Sequence, residues 1–228
     1  MVENSLSILD SVYAQAMDGL PGSESVKELA ESYLSESGSL SDKVDSLIRW
    51  QVLKCGTTGF LTGLGGVLTL PVAVSADVAV NLYVQVRMVA TIAYMGGYEI
   101  HHDKVKTMVY MALVGNAVND VLKKAGIDVA KKFGENFVKK KISGELLKKI
   151  NQAIGAKVIT KVGSKGAVNL IKVVPVFGGI VGAGFDVVTT KAIGMAAKQL
   201  FIANRPPVEL TRIVDEDEVP DWAKNSLR

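Results

Sequence analysis

A run of 22 residues without a charged side chain, Cys55–Ala76, limits what this chain can fold into more than any other feature of the sequence. Its length is close to the ~20 residues that cross a bilayer as one α-helix. Both glycine and proline weaken the interior of a helix, and they interrupt this run at Gly56, Gly59, Gly63, Gly65, Gly66 and Pro71. The run is therefore interpreted either as a buried helical hairpin of a soluble domain or as a segment that inserts into, or docks on, a membrane.

The spacing of the glycines indicates close helix packing. Gly59 and Gly63 are four residues apart, so both lie on one face of a helix, and a face without side chains lets a second helix approach closely. A second uncharged glycine-rich run, Val173–Phe185, repeats the spacing with Gly178 and Gly182. We therefore predict an all-α fold, a multi-helix domain with two glycine-rich helical hairpins.

Apolar residues recur at helical spacing along most of the remaining chain. Asp103 is predicted to be the N-cap of a helix over 104–124, and Ser25 with Glu28 has the spacing of a capping box. Loose alternation over 157–172 leaves a hairpin as an alternative there. Further helices are predicted over 5–18, from Val26 to near Gly38, from about 42 into the glycine-rich run, from near Pro71 to Gly96, and over 186–203.

The chain divides into three parts by composition. Residues 1–40 are predicted to be an N-terminal helical extension, and 41–204 the main helical domain. Residues 205–228 contain six acidic residues and three prolines, and such a segment is expected to be a largely irregular acidic tail.

Cysteine usage and the N-terminus bear on location. The chain has one cysteine, Cys55, which excludes an internal disulfide and fits a reducing compartment. The first residues, MVENSLSILDSVYAQ, lack the basic region and apolar run of a secretory signal. We expect a cytoplasmic protein, at the inner face of the membrane where it meets lipid.

No cofactor and no metal are predicted. The sequence contains no phosphate-binding loop, zinc-protease or nucleophile-elbow pattern. The only histidines, His101 and His102, are adjacent, and no ligand follows at helical spacing. We interpret them as solvated turn residues.

A small set of polar residues marks a candidate buried centre. Only Asp77 and Arg87 are charged between residues 54 and 99, and a buried charge persists only if it is paired or hydrogen-bonded. Asp186 ends the second glycine-rich run as Asp77 ends the first, so packing of the two hairpins would bring both aspartates near a common centre. They would fix helix register, or alternatively serve as a proton relay or as the carboxylate pair of an enzyme. The candidate centre comprises Asp77, Asn81, Arg87, Asp186 and Lys191.

Charge is strongly segregated along the chain. Residues 1–49 hold nine acidic and three basic residues, a balance of −6, and residues 123–172 hold thirteen lysines against three acidic residues, a balance of +10. Such segregation points to an anionic surface or partner, or to the acidic end of the chain itself. The basic segment contains no arginine, whose fork favours specific phosphate and base recognition. Nucleic acid is therefore not expected as a partner.

The lysines alternate with apolar residues at helical spacing. A helix with an apolar face and a lysine-only polar face is typical of the membrane interface, and the alternative is a solvated helix that packs its apolar face on the core. A third possibility is a basic face that binds an acidic protein or the chain's own tail. The lipid-surface candidates are Lys131, Lys132, Lys139, Lys140, Lys141, Lys148 and Lys149.

Two segments of the chain resemble a known family. Residues 49–99, RWQVLKCGTTGFLTGLGGVLTLPVAVSADVAVNLYVQVRMVATIAYMGGYE, and residues 173–201, VVPVFGGIVGAGFDVVTTKAIGMAAKQLF, are similar to the glycine-rich core and the C-terminal segment of the EcsC family of bacterial proteins. The likeness covers about 42–203. It implies a bacterial, cytoplasmic, membrane-associated helical protein, and it supplies no catalytic residues because the family has no established activity.

These observations favour a non-enzymatic, peripheral membrane-associated protein that uses the lysine-rich segment and the glycine-rich hairpins. The alternatives are an enzyme, such as a hydrolase, that uses Asp77 and Asp186, and a soluble protein-interaction module. The sequence leaves the oligomeric state open.

Overall fold

The computed structural model describes residues 2–55, 76–124, 126, 143–163 and 184–203. Within these ranges the chain forms eight α-helices and no β-strand, which confirms the predicted all-α fold. Residues 56–75 and 173–183 of the glycine-rich runs, with Gly59, Gly63, Gly178 and Gly182, lie outside the described residues. The helices are α1 (Val2–Asp18), α2 (Val26–Leu34), α3 (Leu40–Cys55), α4 (Ala76–Met95), α5 (Asp103–Val114), α6 (Val118–Lys124), α7 (Gly144–Gly163) and α8 (Gly184–Lys198).

Helix α4 is the centre of the bundle. It packs against α1, α2, α3, α5 and α8, and its sequence is apolar around most of its circumference, as expected for a helix buried on all sides. Its segment Val78–Met95 is the one described stretch long and apolar enough to cross a membrane, and 78% of that segment is buried inside the structure. The core helix of a soluble protein passes the same test of length and composition.

Two contacts set the direction of α8 relative to α4. Gln85 of α4 donates a hydrogen bond to Thr190 Oγ1 of α8 at 3.2 Å, and the Phe201 carbonyl lies against Gly96, where an added Cβ would come within 2.6 Å of it. The residues of both pairs are 105 positions apart. Helices α4 and α8 are therefore parallel and in register.

Helix α3 runs antiparallel to α8. Asp45 pairs with Lys198 at 2.6 Å, and Ile48 lies against Gly194, so residue numbers rise along α3 as they fall along α8. The C-terminal end of α3 and the N-terminal ends of α4 and α8 consequently lie at one end of the bundle. Both glycine-rich runs join the described helices at this end.

The first forty residues belong to the same core. Helix α1 packs against α4 and α7, and Leu9, Val12 and Ala16 are fully buried. The capping box predicted at α2 is confirmed, because Ser25 and Glu28 exchange side-chain and backbone hydrogen bonds. The predicted extension thus contributes two well-formed helices to the bundle.

A polar network joins α1 to α5. Tyr110 Oη donates to Asp10 Oδ1 at 2.7 Å, and Lys106 Nζ lies 2.7 Å from the same oxygen. Tyr13 Oη donates to the Ile100 carbonyl at 2.5 Å, and the two tyrosine rings meet edge to face at 5.6 Å. These satisfied groups fix the position of α1.

The structure departs from the sequence predictions around α5. The predicted helix over 104–124 breaks at Gly115, whose φ of +53° favours glycine, and a 3₁₀ turn, Gly115–Ala117, leads into α6. The prediction of Asp103 as N-cap is wrong, because His102 holds that position and its Nδ1 accepts from the Lys104 N–H at 3.1 Å.

The C-terminal helices also differ in detail from the predictions. Residues 157–163 continue α7, so the alternative of a hairpin does not hold for this part of 157–172. The helix predicted over 186–203 is confirmed as α8 followed by a π-helical turn, Gln199–Ala203.

Candidate functional site

The predicted buried centre is divided between two faces of α4. Asn81 and Arg87 are six residues apart, which places them roughly 120° apart around the helix axis. Arg87 points to the loop between α1 and α2, whereas Asn81 shares a face with Gln85, which contacts α8. Lys191 is exposed on α8 and therefore does not belong to a buried centre; it is the residue after Thr190 and so projects about 100° away from it.

The seam between α4 and α8 is polar at its described end. Thr190 is fully buried, and Asn81, one turn before Gln85, has a buried Oδ1 without a hydrogen-bond partner. In the register of α4 with α8, the position of Asp186 is level with Asn81, and Asp77 lies one turn further toward the N-terminus of α4. The register thus places the two aspartate positions at the same end of the bundle; their side chains lie outside the described set.

Arg87 is the most unusual buried group in the described chain. Its side chain is 6% exposed, and its Nη2 donates to the backbone carbonyl of Glu24. Its Nε is buried and has no hydrogen-bond partner, and no ion pair of Arg87 occurs among the described residues. A guanidinium buried without a carboxylate is costly.

Further polar groups lie on α3 and α4, the two helices that carry Lys54 and Arg87. Burial, and after it the nearby positive charge of Arg87, lower the pKa of Lys54, while Glu24 opposes this shift. Two deeply buried side chains, Gln51 at 1% and Tyr83 at 2% exposure, each carry a polar atom without a hydrogen-bond partner. We call Gln51, Lys54, Tyr83 and Arg87 the Arg87 cluster. The sequence analysis missed all of it except Arg87, although a glutamine on the buried face of α3 was a usable signal.

A basic surface lies elsewhere on the bundle. Helices α6 and α7 contact each other, and each exposes a pair of lysines, which together we call the basic surface: Lys123, Lys124, Lys148 and Lys149. The opposite face of α7 is buried in the core through Leu147, Ile150 and Ile154. Helix α7 therefore matches the solvated-helix interpretation, and its apolar face is not available to lipid. Lys131, Lys132, Lys139, Lys140 and Lys141 lie outside the described residues.

The comparison with family models decides the family. The model of the EcsC protein family matches residues 3–203. The chain belongs to the EcsC family. The match begins within α1, so α1 and α2 are part of the EcsC region although the resemblance in the sequence began near residue 42. No curated protein and no solved structure matched the chain.

Two cationic features mark the described part of this EcsC protein. No group of three or more His, Cys, Asp or Glu side chains among the described residues could hold a metal ion. His102 is used as a helix cap. What remains are two cationic features, the basic surface and the Arg87 cluster, and both are suited to anions.

Proposed function

We propose that this EcsC-family protein is a non-enzymatic, peripheral membrane-associated protein that attaches to the anionic inner face of the membrane. The observation that carries the proposal is the basic surface, where two contacting helices expose four lysines. Because the apolar face of α7 is buried in the core, the attraction at this surface is electrostatic.

The segment that connects α6 to α7 adds positive charge to this part of the sequence. Residues 125–142 carry five further lysines. Over 118–150, nine lysines outnumber four acidic residues, a balance of +5. Each lysine near an anionic leaflet contributes about 1 kcal/mol, so several acting together provide stable but salt-sensitive attachment.

The glycine-rich runs supply the apolar part of the proposal. The first run follows α3 in the sequence, and near the C-terminal end of α3 Trp50 and Leu53 are 56% and 59% exposed. Tryptophan is enriched at membrane interfaces because its ring is amphipathic. The runs would insert into the headgroup region, or pack beneath it, while the lysines hold the headgroups.

The charge-removal test uses vesicle flotation with the full chain. The variant K148Q/K149Q removes two lysines of the basic surface, and the matched control K27Q/K191Q removes two exposed lysines elsewhere. At about 1 kcal/mol per lysine we expect roughly 30-fold weaker partitioning onto phosphatidylglycerol vesicles for the first variant, and little change for the control.

Salt separates the two modes of attachment. The Debye length falls from about 10 Å at 0.1 M to about 3 Å at 1 M ionic strength, so purely electrostatic binding is lost in 1 M salt, and binding that persists indicates insertion of the runs. Absence of binding to anionic and to zwitterionic vesicles alike would refute the proposal and favour a soluble protein-interaction module.

One observation favours a second candidate, an enzyme that uses Asp77 and Asp186. The register of α4 with α8 places both positions at the same end of the bundle, near the unbonded oxygen of Asn81. If the aspartates are structural, Asp77→Asn and Asp186→Asn lower the melting temperature. Variants that remain as stable as the wild type but lose a cellular activity would support the enzyme.

A further inference from the structure

Arg87 is a buried positive charge without a counter-ion among the described residues. Its Nη2 donates to the backbone carbonyl of Glu24, and its Nε is buried and has no hydrogen-bond partner. In a low-dielectric environment such a charge is tolerated only with an anionic partner.

Gln51 is brought to the same level as Arg87 by the packing of α3. Ile48 lies against Gly194 of α8, and in the α4–α8 register Gly194 is level with Val89. Gln51 lies one turn after Ile48 on α3. Because α3 runs antiparallel to α4, Gln51 is therefore level with Arg87, close to one turn before Val89 on α4. Its amide Nε2 is buried and has no hydrogen-bond partner.

Tyr83 adds a third unpaired donor. It lies four residues before Arg87 on α4, so both side chains project from one face of the helix, and its hydroxyl is buried without a partner. Leaving a buried donor unsatisfied costs about 1–3 kcal/mol. Three such donors on two contacting helices indicate that a common acceptor is missing.

We propose that Arg87, Gln51 and Tyr83 form a binding site for one phosphate group, between the α1–α2 loop, α3 and α4. The guanidinium supplies charge and a fork of N–H donors that matches phosphate oxygens. Lys54 supplies a second positive charge at the edge, where the exposed Glu24 marks the surface. A tetrahedral phosphate dianion can accept hydrogen bonds from three or more donors and balance two positive charges, whereas a carboxylate has only two oxygens and one negative charge.

This site is separate from the basic surface. Its arginine, amide and hydroxyl are buried and directional, whereas the basic surface is made of exposed lysines. The phosphate could come from solution or from the headgroup of a lipid, and both sources present the same chemistry to Arg87. The test therefore includes one probe of each kind.

The experiment measures the melting temperature of the full chain in inorganic phosphate, in soluble dihexanoyl phosphatidic acid, and in chloride at matched ionic strength. At about 100 times Kd, we expect a rise of roughly 5–10 °C for a chain of this size. A rise with both probes identifies the phosphate group as sufficient, and a rise with the lipid alone identifies a headgroup site. No rise with either probe overturns the proposal.

Two variants assign the response to Arg87. Arg87→Met keeps an apolar stem in the core and removes the guanidinium, whereas Arg49→Met makes the same change of charge on the exposed face of α3. We expect the shift to vanish in R87M and to persist in R49M, and an equal shift in both would place the ion elsewhere. If R87M does not fold, Gln51→Leu tests the same site by removing one donor, with an expected reduction of the shift.

These results do not depend on vesicle binding. A protein that shows the phosphate-dependent shift but does not float with vesicles would retain the site and refute the proposed membrane association. The opposite result would retain membrane association and refute the site.

Discussion

Gly194 of α8 allows α3 and α8 to pack closely. Among the described glycines, it is the one where an added Cβ would come closest to the side chain of another helix. A Cβ added at this position would lie 2.9 Å from both Cγ1 and Cγ2 of Ile48, whereas carbon atoms in contact are normally about 3.5–4.0 Å apart. Ile48 is 4% exposed and is held in the core between α3 and α8. The substitution Gly194→Ala therefore forces the two helices apart or moves Ile48.

Two opposing terms set the size of the effect. Overpacking a core typically costs about 1–3 kcal/mol, while alanine gains about 1 kcal/mol over glycine in a helix interior. We therefore expect G194A to lower the free energy of unfolding by about 1 kcal/mol. The matched control is Gly144→Ala, where a Cβ meets no atom within 4 Å, and this variant should be neutral or slightly stabilising.

A double-mutant cycle with Ile48→Ala isolates the contact. Ile48→Ala alone costs about 2–5 kcal/mol because it leaves a cavity. In that background the added methyl of G194A has space, so the same substitution should become stabilising by about 1 kcal/mol. Urea denaturation gives all four free energies. Equal destabilisation by G194A in both backgrounds would refute the idea that the glycine is required by close helix packing.

Three further measurements test the packing of α1 and of the C-terminal turn. Tyr110→Phe should cost about 1.5 kcal/mol in urea denaturation, the lower end for a bond to a charged acceptor because Asp10 is 39% exposed. Burial raises the pKa of Tyr13 and Tyr110 above the ordinary 10.0, with Glu99 adding to the shift of Tyr13 and Asp10 to that of Tyr110. The stability that these two neutral hydroxyls contribute is complete below pH 10 and declines as the pH rises above it. Tyr13→Phe should therefore reduce the loss of stability at alkaline pH. Gly96→Ala should cost more than G194A, about 2–3 kcal/mol, because the obstructing atom is the Phe201 backbone carbonyl; an unchanged midpoint would contradict this.

Most of the secondary structure could be predicted from the sequence because apolar periodicity and capping are local. The capping box at Ser25, the end of α1 at Asp18 and the start of α2 at Val26 follow from neighbouring residues alone. The break at Gly115 was missed because a single glycine inside an apolar helical pattern also occurs within continuous helices, as Gly155 and Gly194 demonstrate.

The candidate site was less predictable because it depends on tertiary register. The sequence identified Arg87 as an isolated charge in an apolar stretch, but its neighbours Gln51 and Lys54 come from α3, and only the order of helix contacts brings them together. The same contacts separate Arg87 from Asn81 and leave Lys191 on the surface. In the sequence these residues share only their position in or beside long apolar stretches.

Arg87 also determines which part of the protein is suited to entering a membrane. It lies at the middle of Val78–Met95, the described segment that is long enough to cross a bilayer. Insertion of α4 would therefore place a guanidinium near the bilayer centre, at a cost of about 2.5–3.5 kcal/mol or more, and would break its bond to the Glu24 carbonyl and the Gln85–Thr190 contact. The glycine-rich runs contain no charge. If the protein enters lipid, the energetics favour these runs while α4 remains in the bundle.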